Sequence, residues 1–221
     1  DADGKFIIPA GYKVEKMSFL HANGSVEENF NDIVRSIKII EELYSPVIIC
    51  KLEIFDDQGF FEKFDIEGKE MLQIILSKTT PDGSTNDKLD LQFVVKEYPS
   101  YKKSAEGIHI QEYEMIFISP FAFFSKLQQI SLGFSGPPIK TIRKLYLDYL
   151  GVDPANIIDA SSCPDQIKGV ITKRTPLQAI SWLVSKTFDP TGSPYLMWST
   201  IDEKFKDKII LRSWADIIKT P

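Results

Sequence analysis

The chain of 221 residues has few of the side chains that bind metals or form cross-links, with only two cysteines and two histidines. Cys50 lies in an apolar stretch and Cys163 in a polar one, so the pair does not form the cysteine framework of small secreted domains. His21 and His109 each stand beside a turn or strand end, and no H-E-x-x-H, C-x-x-C or D-x-D-x-D-G spacing occurs. We therefore expect no structural zinc, no calcium loop of the usual kind and no cofactor.

Basic clusters and long apolar runs are also missing. The formal net charge is −5 and the 26 lysines and arginines are dispersed, which argues against a protein that grips nucleic acid by its phosphates. No stretch approaches roughly eighteen uninterrupted apolar residues, and the polar start DADGK is no signal peptide, so we expect no membrane insertion. The chain does not begin with Met and stops just after the amphipathic run WADIIKTP, so we expect it to be part of a longer or processed chain.

What the chain does have is a series of alternating apolar stretches, centred on residues 30–79. In the run 47–55, Ile48, Cys50, Leu52 and Ile54 fall on one face, while the other face is mixed. This pattern predicts a strand that packs on a core with one side and meets water or a partner with the other. The run 31–40 could be one short helix, but its many β-branched residues favour a strand.

Six strands are predicted in the first half of the chain, at 12–20, 31–40, 47–55, 70–79, 88–98 and 109–119. They predict a β-rich domain over 1–119, formed by an antiparallel β-barrel or sandwich. In the run 88–98, Leu89, Leu91, Phe93 and Val95 alternate with mostly polar residues, which indicates a half-buried strand.

The second half predicts a smaller α/β domain over 120–221, which makes the fold class α+β. Two principal helices are expected at about 137–150 and 176–187, and a terminal hairpin at 195–213. Ser119 and Pro120 begin a further helix with apolar residues at helical spacing through Ile130. The stretch 133–136 is interpreted as a flexible linker, and 153–173 as a polar loop with short extended pieces.

One loop, from Asp159 to Asp165, could carry chemistry, because Ser161, Ser162 and Cys163 stand there between the two carboxylates. A nucleophile needs an aligned base, and neither histidine is tied to this loop by spacing. A hydrolase is therefore the weaker hypothesis, and we expect no catalytic residue. The loop is better explained by serine and aspartate side chains that bond their own backbone.

A phosphate-binding turn and two sets of aromatic residues were weighed as binding sites. Gly133, Gly136 and Pro137 precede a helix, but without the Walker lysine or the Rossmann spacing a linker is favoured. The second feature is a run of helical phenylalanines that we expect to be mostly core, with Phe123 as the exposed one: Phe121, Phe123 and Phe124. The third is a set of tryptophans that could line a peptide- or carbohydrate-binding groove: Trp182, Trp198 and Trp214.

Three segments together resemble a known family. They are PVIICKLEIFDDQGFFEKFDIEGKEMLQIIL, the helix IKTIRKLYLDYLG, and TPLQAISWLVSKTFDPTGSPYLMWSTI followed by KIILRSW. In this order of strands, turns and helices the chain, from about 31 to 218, is similar to the hub proteins of contractile phage tail baseplates. Those proteins are related in fold to the spike-base proteins of type VI secretion systems.

The resemblance implies a structural role rather than a reaction. Residues 1–119 would be a tail-tube-like domain, and 120–221 the α/β domain that decorates it. The protein would form a ring, as a homotrimer, that joins the tail tube protein to the central spike protein among other baseplate proteins. DNA would pass through this ring without specific binding, and the net negative charge agrees with such a channel. The protein would be assembled in the host cytoplasm and reside in the tail baseplate of the virion.

Overall fold

The computed structural model describes residues 11–21, 24–28, 31–56, 68–79, 85–97, 102–103, 111–159, 163–164, 166–201 and 207–219. They divide into two units. Unit 1 contains the described residues up to 37 together with 51–117. Unit 2 contains 38–50, 118–201 and 207–219. The sequence-based division into 1–119 and 120–221 stays a prediction, and the observed units differ from it by including 38–50 in unit 2.

Eight strands form the largest sheet: β1 (Gly11–Leu20), β2 (Val26–Glu28), β3 (Val34–Ile40), β4 (Ile49–Asp56), β5 (Met71–Thr79), β6 (Thr85–Glu97), β7 (Lys102–Lys103) and β8 (Gln111–Ile118). Their order is β2-β1-β5-β6-β8-β4-β3, with β7 beside β8. The fold is mostly antiparallel β, and this sheet is curled into a half-barrel. The run 31–40 is a strand from Val34 onward, preceded by a single 3-10 turn at Asn31–Ile33.

The alternation of side chains explains why the sheet buries one face. Ile48, Cys50, Leu52 and Ile54 are each at most 2% exposed, which confirms the predicted apolar face, whereas Phe55 on the opposite face is 37% exposed. In β6, Leu89, Leu91, Phe93 and Val95 are buried as expected. Val94 is buried as well, so both faces of β6 are covered near its end.

Aromatic and polar contacts hold the core of unit 1. The rings of Phe19 and Phe117 meet edge to face with centroids 5.8 Å apart, and both side chains are fully buried. A polar contact lies in the same unit, where the hydroxyl of Tyr113 donates to the buried carboxylate of Asp56 at 3.1 Å. Burial, together with the Asp56 carboxylate, raises the pKa of Tyr113 well above its usual range.

Unit 2 mixes helices and short strands: α1 (Pro120–Lys126), β9 (Ile130–Gly136), α2 (Pro138–Leu150), β10 (Ile157–Asp159), β11 (Ile167–Arg174), α3 (Pro176–Val184), β12 (Tyr195–Ile201), β13 (Asp207–Ser213) and α4 (Trp214–Lys219). β13 lies between β10, which is parallel to it, and β12, which is antiparallel. β9 and β11 form a separate antiparallel pair. No helix among the described residues is long and apolar enough to cross a membrane.

The two longer helices begin and end at local signals. α2 has Pro138 at its first position and ends at Gly151, which adopts a left-handed φ of 64°. α3 starts with a capping box, in which the Thr175 hydroxyl accepts from the Gln178 backbone N–H and the Gln178 side chain accepts from the Thr175 backbone N–H. α3 ends at Val184 rather than 187, because the Thr187 hydroxyl donates to the Leu183 carbonyl and closes the last turn.

One loop prediction in unit 2 was wrong and another was right only in part. The expected linker at 133–136 is part of β9. The expected loop at 153–173 does contain extended pieces, β10 and β11, but β11 is a strand of eight residues rather than a short piece. The reason is pairing between distant segments, since Val170 lies opposite Gly133 and Gly169 opposite Phe134. Glycine and serine in β9 weakened the strand pattern in the sequence, and the partner strand is over thirty residues away.

Fifteen buried residues form the core of unit 2, with α2 and α3 contributing most of the aliphatic side chains. Tyr146 is fully buried in this core, and its hydroxyl donates to the Met197 sulfur at 3.2 Å.

Hydrogen bonds join the segment 38–50 to other parts of unit 2. The Ser119 hydroxyl accepts from the Ile48 backbone N–H at 3.1 Å, and the Ser199 N–H donates to the Ser45 carbonyl at 3.3 Å. The Ile201 N–H donates to the Glu41 carboxylate at 3.0 Å. This segment therefore satisfies donors of β12, the edge strand of its sheet, and covers an edge that would otherwise be open to other chains.

Candidate functional site

The end strands of the large sheet are the first candidate surface. β3 ends the sheet on one side and β2 on the other. None of the seven residues of β3 is buried, and Arg35 and Lys38 are exposed. A terminal strand presents a row of backbone donors and acceptors that another strand can pair with, and basic side chains on it discourage unwanted pairing. Among the described residues no strand pairs with the outer edge of β3, so this edge is a candidate for pairing with another chain.

The face of the sheet opposite the core carries polar pairs that cross between strands. Lys51 Nζ lies 3.2 Å from Glu114 Oε1, and the Gln73 amide donates to both Asp90 oxygens at 2.9 and 3.0 Å. Such exposed pairs contribute little to stability, about 0.2–1 kcal/mol each. They place charged and amide groups on a face that also carries the exposed ring of Phe55, which is the mixed surface that the sequence predicts.

A bulge in β1 places Glu15 beside β5. The register shifts between Val14 and Lys16, and Glu15 accepts a hydrogen bond of 2.7 Å from the Ser77 hydroxyl. This bond, and then the Lys13 ammonium at 3.5 Å, hold the pKa of Glu15 below its usual value. The contacts fix the bulge, so we assign Glu15 a structural role.

The residues weighed for catalysis are not brought together among the described residues. Ser161, Ser162, Asp165 and His109 lie outside the described ranges, and Asp159 ends β10. His21 follows β1, where its backbone N–H bonds the Ser25 carbonyl across a turn. Cys163 is partly exposed and, like Cys50, is not in a disulfide. Among the described residues, no three histidine, cysteine, aspartate or glutamate side chains form a group that could hold a metal ion.

Cys50 cannot act as a nucleophile in the folded chain. Its side chain is fully buried on the apolar face of β4, and this burial raises the pKa of the thiol to about 12. The thiolate that would react is therefore not formed at neutral pH, and Cys50 serves as a small core residue.

The phenylalanines of α1 are partly core, but the exposed one was predicted wrongly. Phe121 packs edge to face on Tyr146 with centroids 6.1 Å apart, whereas Phe124, rather than Phe123, is 48% exposed. The helix is only seven residues long, and it turns Ala122 and Ser125 inward. The apolar spacing through Leu127 and Ile130 therefore does not continue on one helix, and Ile130 belongs to β9.

The three tryptophans lie on different elements. Trp182 on α3 is half-buried, with Phe134 edge to face at 6.0 Å and the Arg174 guanidinium 5.3 Å from its ring centroid. Trp198 on β12 is also half-buried, and Trp214 at the start of α4 is 42% exposed. Trp182 is thus engaged by its own neighbours, which weakens the idea of an aromatic platform for carbohydrate.

Asp189 is a key residue that the sequence reasoning did not single out. One of its oxygens accepts from the Thr191 hydroxyl at 2.6 Å, the Thr191 N–H at 2.8 Å and the Ser193 N–H at 2.9 Å. These bonds, led by the Thr191 hydroxyl, lower the pKa of Asp189 to about 2. The local run D-P-T-G-S carried the signal, because aspartate followed by hydroxyl residues and glycine is typical of a side-chain-capped turn.

Comparison with known proteins gives a likeness in structure but not in sequence. No family model and no curated protein sequence matches the chain. Among solved structures, the E. coli c3393 protein has a TM-score of 0.50 and 10% identity, over 93% of this chain and 47% of that one. It is described as a component of the type VI secretion system with structural similarity to the T4 bacteriophage tail proteins gp27 and gp5. A PdpA–VgrG complex has a TM-score of 0.52 and 11% identity, over 96% of this chain and 37% of that one.

A third structure, the 43 kDa tail protein of prophage MuSo2 from Shewanella oneidensis, has a TM-score of 0.49 and 15% identity, over 89% of this chain and 52% of that one. The chain spans about half or less of the length of these proteins. The resemblance predicted from the sequence, to phage hub proteins and type VI spike-base proteins, is confirmed as a likeness of fold. At such low identity the likeness establishes the fold and leaves the activity to be argued.

Proposed function

We propose that this chain is a non-enzymatic structural component of a contractile injection machine, part of a baseplate hub that joins a tail tube to a central spike. The observation that carries the proposal is the fold. More than nine-tenths of the chain matches a type VI secretion component and a PdpA–VgrG complex at TM-scores of 0.50 and 0.52. The described residues contain no assembled catalytic group. This observation is compatible with the proposed role but is not evidence for it.

The finer parts of the proposal concern the ring. Residues 1–119 act as the tail-tube-like domain and 120–221 as the α/β domain that decorates it. Three copies surround a channel through which DNA passes without being bound, and the ring contacts the tail tube protein, the central spike protein and other baseplate proteins. Terminal strand β3, with no buried residue, supports sheet extension between copies. The net charge of −5 supports a channel wall that does not hold phosphates.

Electron microscopy tests the location. Particles from the source, labelled with antibody raised against this chain, should carry the label at the head-distal tip of a contractile tail in the virion. They should lose both label and intact tails when the gene is deleted. Label along the sheath or at the head, or none on intact and disrupted particles with the protein free in the lysate, would overturn the proposal.

Two proline variants test the ring contact through β3. Successive residues of a strand direct their backbone N–H groups to opposite sides. Of the variants Ser36→Pro and Ile37→Pro, one therefore removes an N–H that faces into the sheet, and the other removes an N–H that faces away from it. Proline is tolerated on an edge strand only where the N–H faces away from the sheet. The variant whose lost N–H faces away from the sheet is recognised by its wild-type melting temperature. This variant should lose ring assembly, which is measured by light scattering on the full-length protein. Normal rings from that variant would show that β3 is not the contact, without bearing on the tail location.

A further inference from the structure

A groove on unit 2 is not used by the proposed hub role and does not depend on it. Its volume is about 590 Å³, and it is lined by Pro46, Val47, Arg174, Leu177, Gln178 and Ser181. Clefts of roughly 300–1,000 Å³ with apolar walls and a few polar groups are typical of binding sites. One wall comes from the segment before β4, and the other from the end of β11 and the first turns of α3.

The cationic rim of the groove is produced by a distortion of β11. The register of β11 against β9 shifts between Ile171 and Arg174, and Lys173 adopts a φ of 45°. A left-handed conformation is uncommon in residues other than glycine, and bulges often redirect a side chain next to a functional site. Here the bulge directly precedes Arg174, the last residue of the strand.

Arg174 is held in place without using its hydrogen-bonding edges. Its guanidinium lies over the Trp182 ring at 5.3 Å, and Trp182 packs against Phe134. Stacking occupies the face of the guanidinium and leaves its N–H groups in the plane available for a carboxylate. Within the described ranges no carboxylate pairs with Arg174. The side chain is exposed and thus accessible to a ligand.

The start of α3 does not supply the anion site. Pro176 has no N–H, the Leu177 N–H donates to the Ser125 hydroxyl at 2.9 Å, and the Gln178 N–H donates to the Thr175 hydroxyl. A free inorganic anion would therefore meet Arg174 and the apolar side chains of Val47 and Leu177 on the two walls, a poor match for a fully hydrated ion. The groove fits a ligand that has both a carboxylate and aliphatic side chains.

We propose that this groove binds an extended acidic and aliphatic segment of a partner protein. A carboxylate of the segment pairs with the Arg174 guanidinium in a bidentate contact, and an aliphatic side chain packs between Val47 and Leu177. Ser181 and Gln178 also line the groove and supply a hydroxyl and an amide for backbone groups of the segment. Since the chain has a net charge of −5, attraction of an acidic segment depends on this local positive charge.

The test uses a fluorescein-labelled hexapeptide of alternating leucine and glutamate, with fluorescence polarisation on the full chain. Arg174→Gln should weaken binding at least tenfold. Lys168→Gln removes the same charge from an exposed position of β11 that does not line the groove, and should leave binding within twofold. Ser181→Trp fills the groove and should abolish binding, whereas Lys186→Trp just beyond α3 should not.

Three results would overturn the inference. The first is equal weakening by Arg174→Gln and Lys168→Gln, which indicates unspecific attraction. The second is equal affinity for a hexapeptide with glutamine in place of glutamate. The third is no saturable binding, which includes a groove already filled by another part of the chain. Melting temperatures of all four variants exclude loss of folding as the cause of weakened binding.

Discussion

Unit 1 and unit 2 reach stability by different routes. In the described part of unit 1 the chain is almost entirely strand, and β1 pairs with β5 across a separation of more than fifty residues, as between Lys16 and Ile75. In unit 2, α3 is fixed within four residues of sequence by Thr175 and Gln178. Unit 1 therefore depends on contacts that form late and together, whereas parts of unit 2 are specified locally.

The largest expected effect is loss of core packing in unit 1. Phe117→Ala removes a fully buried ring that meets Phe19 and should lower the free energy of unfolding by about 3–5 kcal/mol, measured in urea. Phe124→Ala, the same substitution at an exposed site of unit 2, should change it by less than about 0.5 kcal/mol. Hydrogen exchange of Phe117→Ala should rise first in the strands of unit 1. An equal rise in hydrogen exchange throughout unit 2 would show that both units unfold together, which would contradict the difference proposed between them.

The next largest loss of stability is expected for a variant that frees the segment 38–50, which belongs to unit 2. Ser119→Ala leaves the buried Ile48 N–H without its side-chain acceptor and should cost about 1–3 kcal/mol. Amide exchange in 38–50 should accelerate more than in β5 and β6. Ser135→Ala, at an exposed position of β9, is the matched control and should have no measurable effect. If amides in 38–50 keep wild-type exchange in Ser119→Ala, the hydroxyl does not hold the segment.

Variants of the N-cap residue of α3 test whether short-range contacts contribute to the stability of unit 2. Thr175→Ala removes the acceptor for the Gln178 N–H and should cost about 1 kcal/mol, seen as a lower melting temperature. Thr175→Ser keeps the hydroxyl and should restore most of the loss. A loss of the same size in both variants would point to the methyl group and packing instead of the cap.

The smallest effect is a change in how stability depends on acid. The pKa of Asp189 is lowered to about 2, so its contribution is present above the unfolded value of roughly 4 and is lost as the pH falls toward 2. In Asp189→Asn the free energy of unfolding should therefore fall less steeply between these pH values, measured by urea titrations at successive pH. Asp148→Asn, at an exposed position of α2, should keep the wild-type slope.

The sequence predicts the structure best where residues close together in sequence determine the local conformation. Ile48, Cys50, Leu52 and Ile54 alternate without interruption, so the buried face of β4 could be predicted before its partner strands were known. The sequence predicts helices from about 137 and from 176, and the structure has helices that begin at Pro138 and Pro176, because proline defines the first start and proline with a capping box the second.

The rest depends on residues that meet only in the folded chain. Nothing near Gly133 indicates that Val170 lies opposite it, so the local sequence predicts a linker at 133–136 where the structure has part of β9. The groove could not be predicted either, since Val47 and Arg174 are far apart in sequence and the Lys173 bulge has no glycine to signal it. The one local sign of the groove in the sequence is Arg174, which directly precedes the helix cap Thr175.

The contact between Ser199 and Pro46 also has a consequence for synthesis on the ribosome. The Ser199 hydroxyl bonds the Pro46 carbonyl across 153 positions of sequence. At about 5–20 residues per second, the segment 38–50 waits roughly 8–30 s for its partner strand to be made. During that interval the β-branched residues around Ile40 and Val47 are open to wrong pairing. Slower translation of 51–198 would lengthen this exposure.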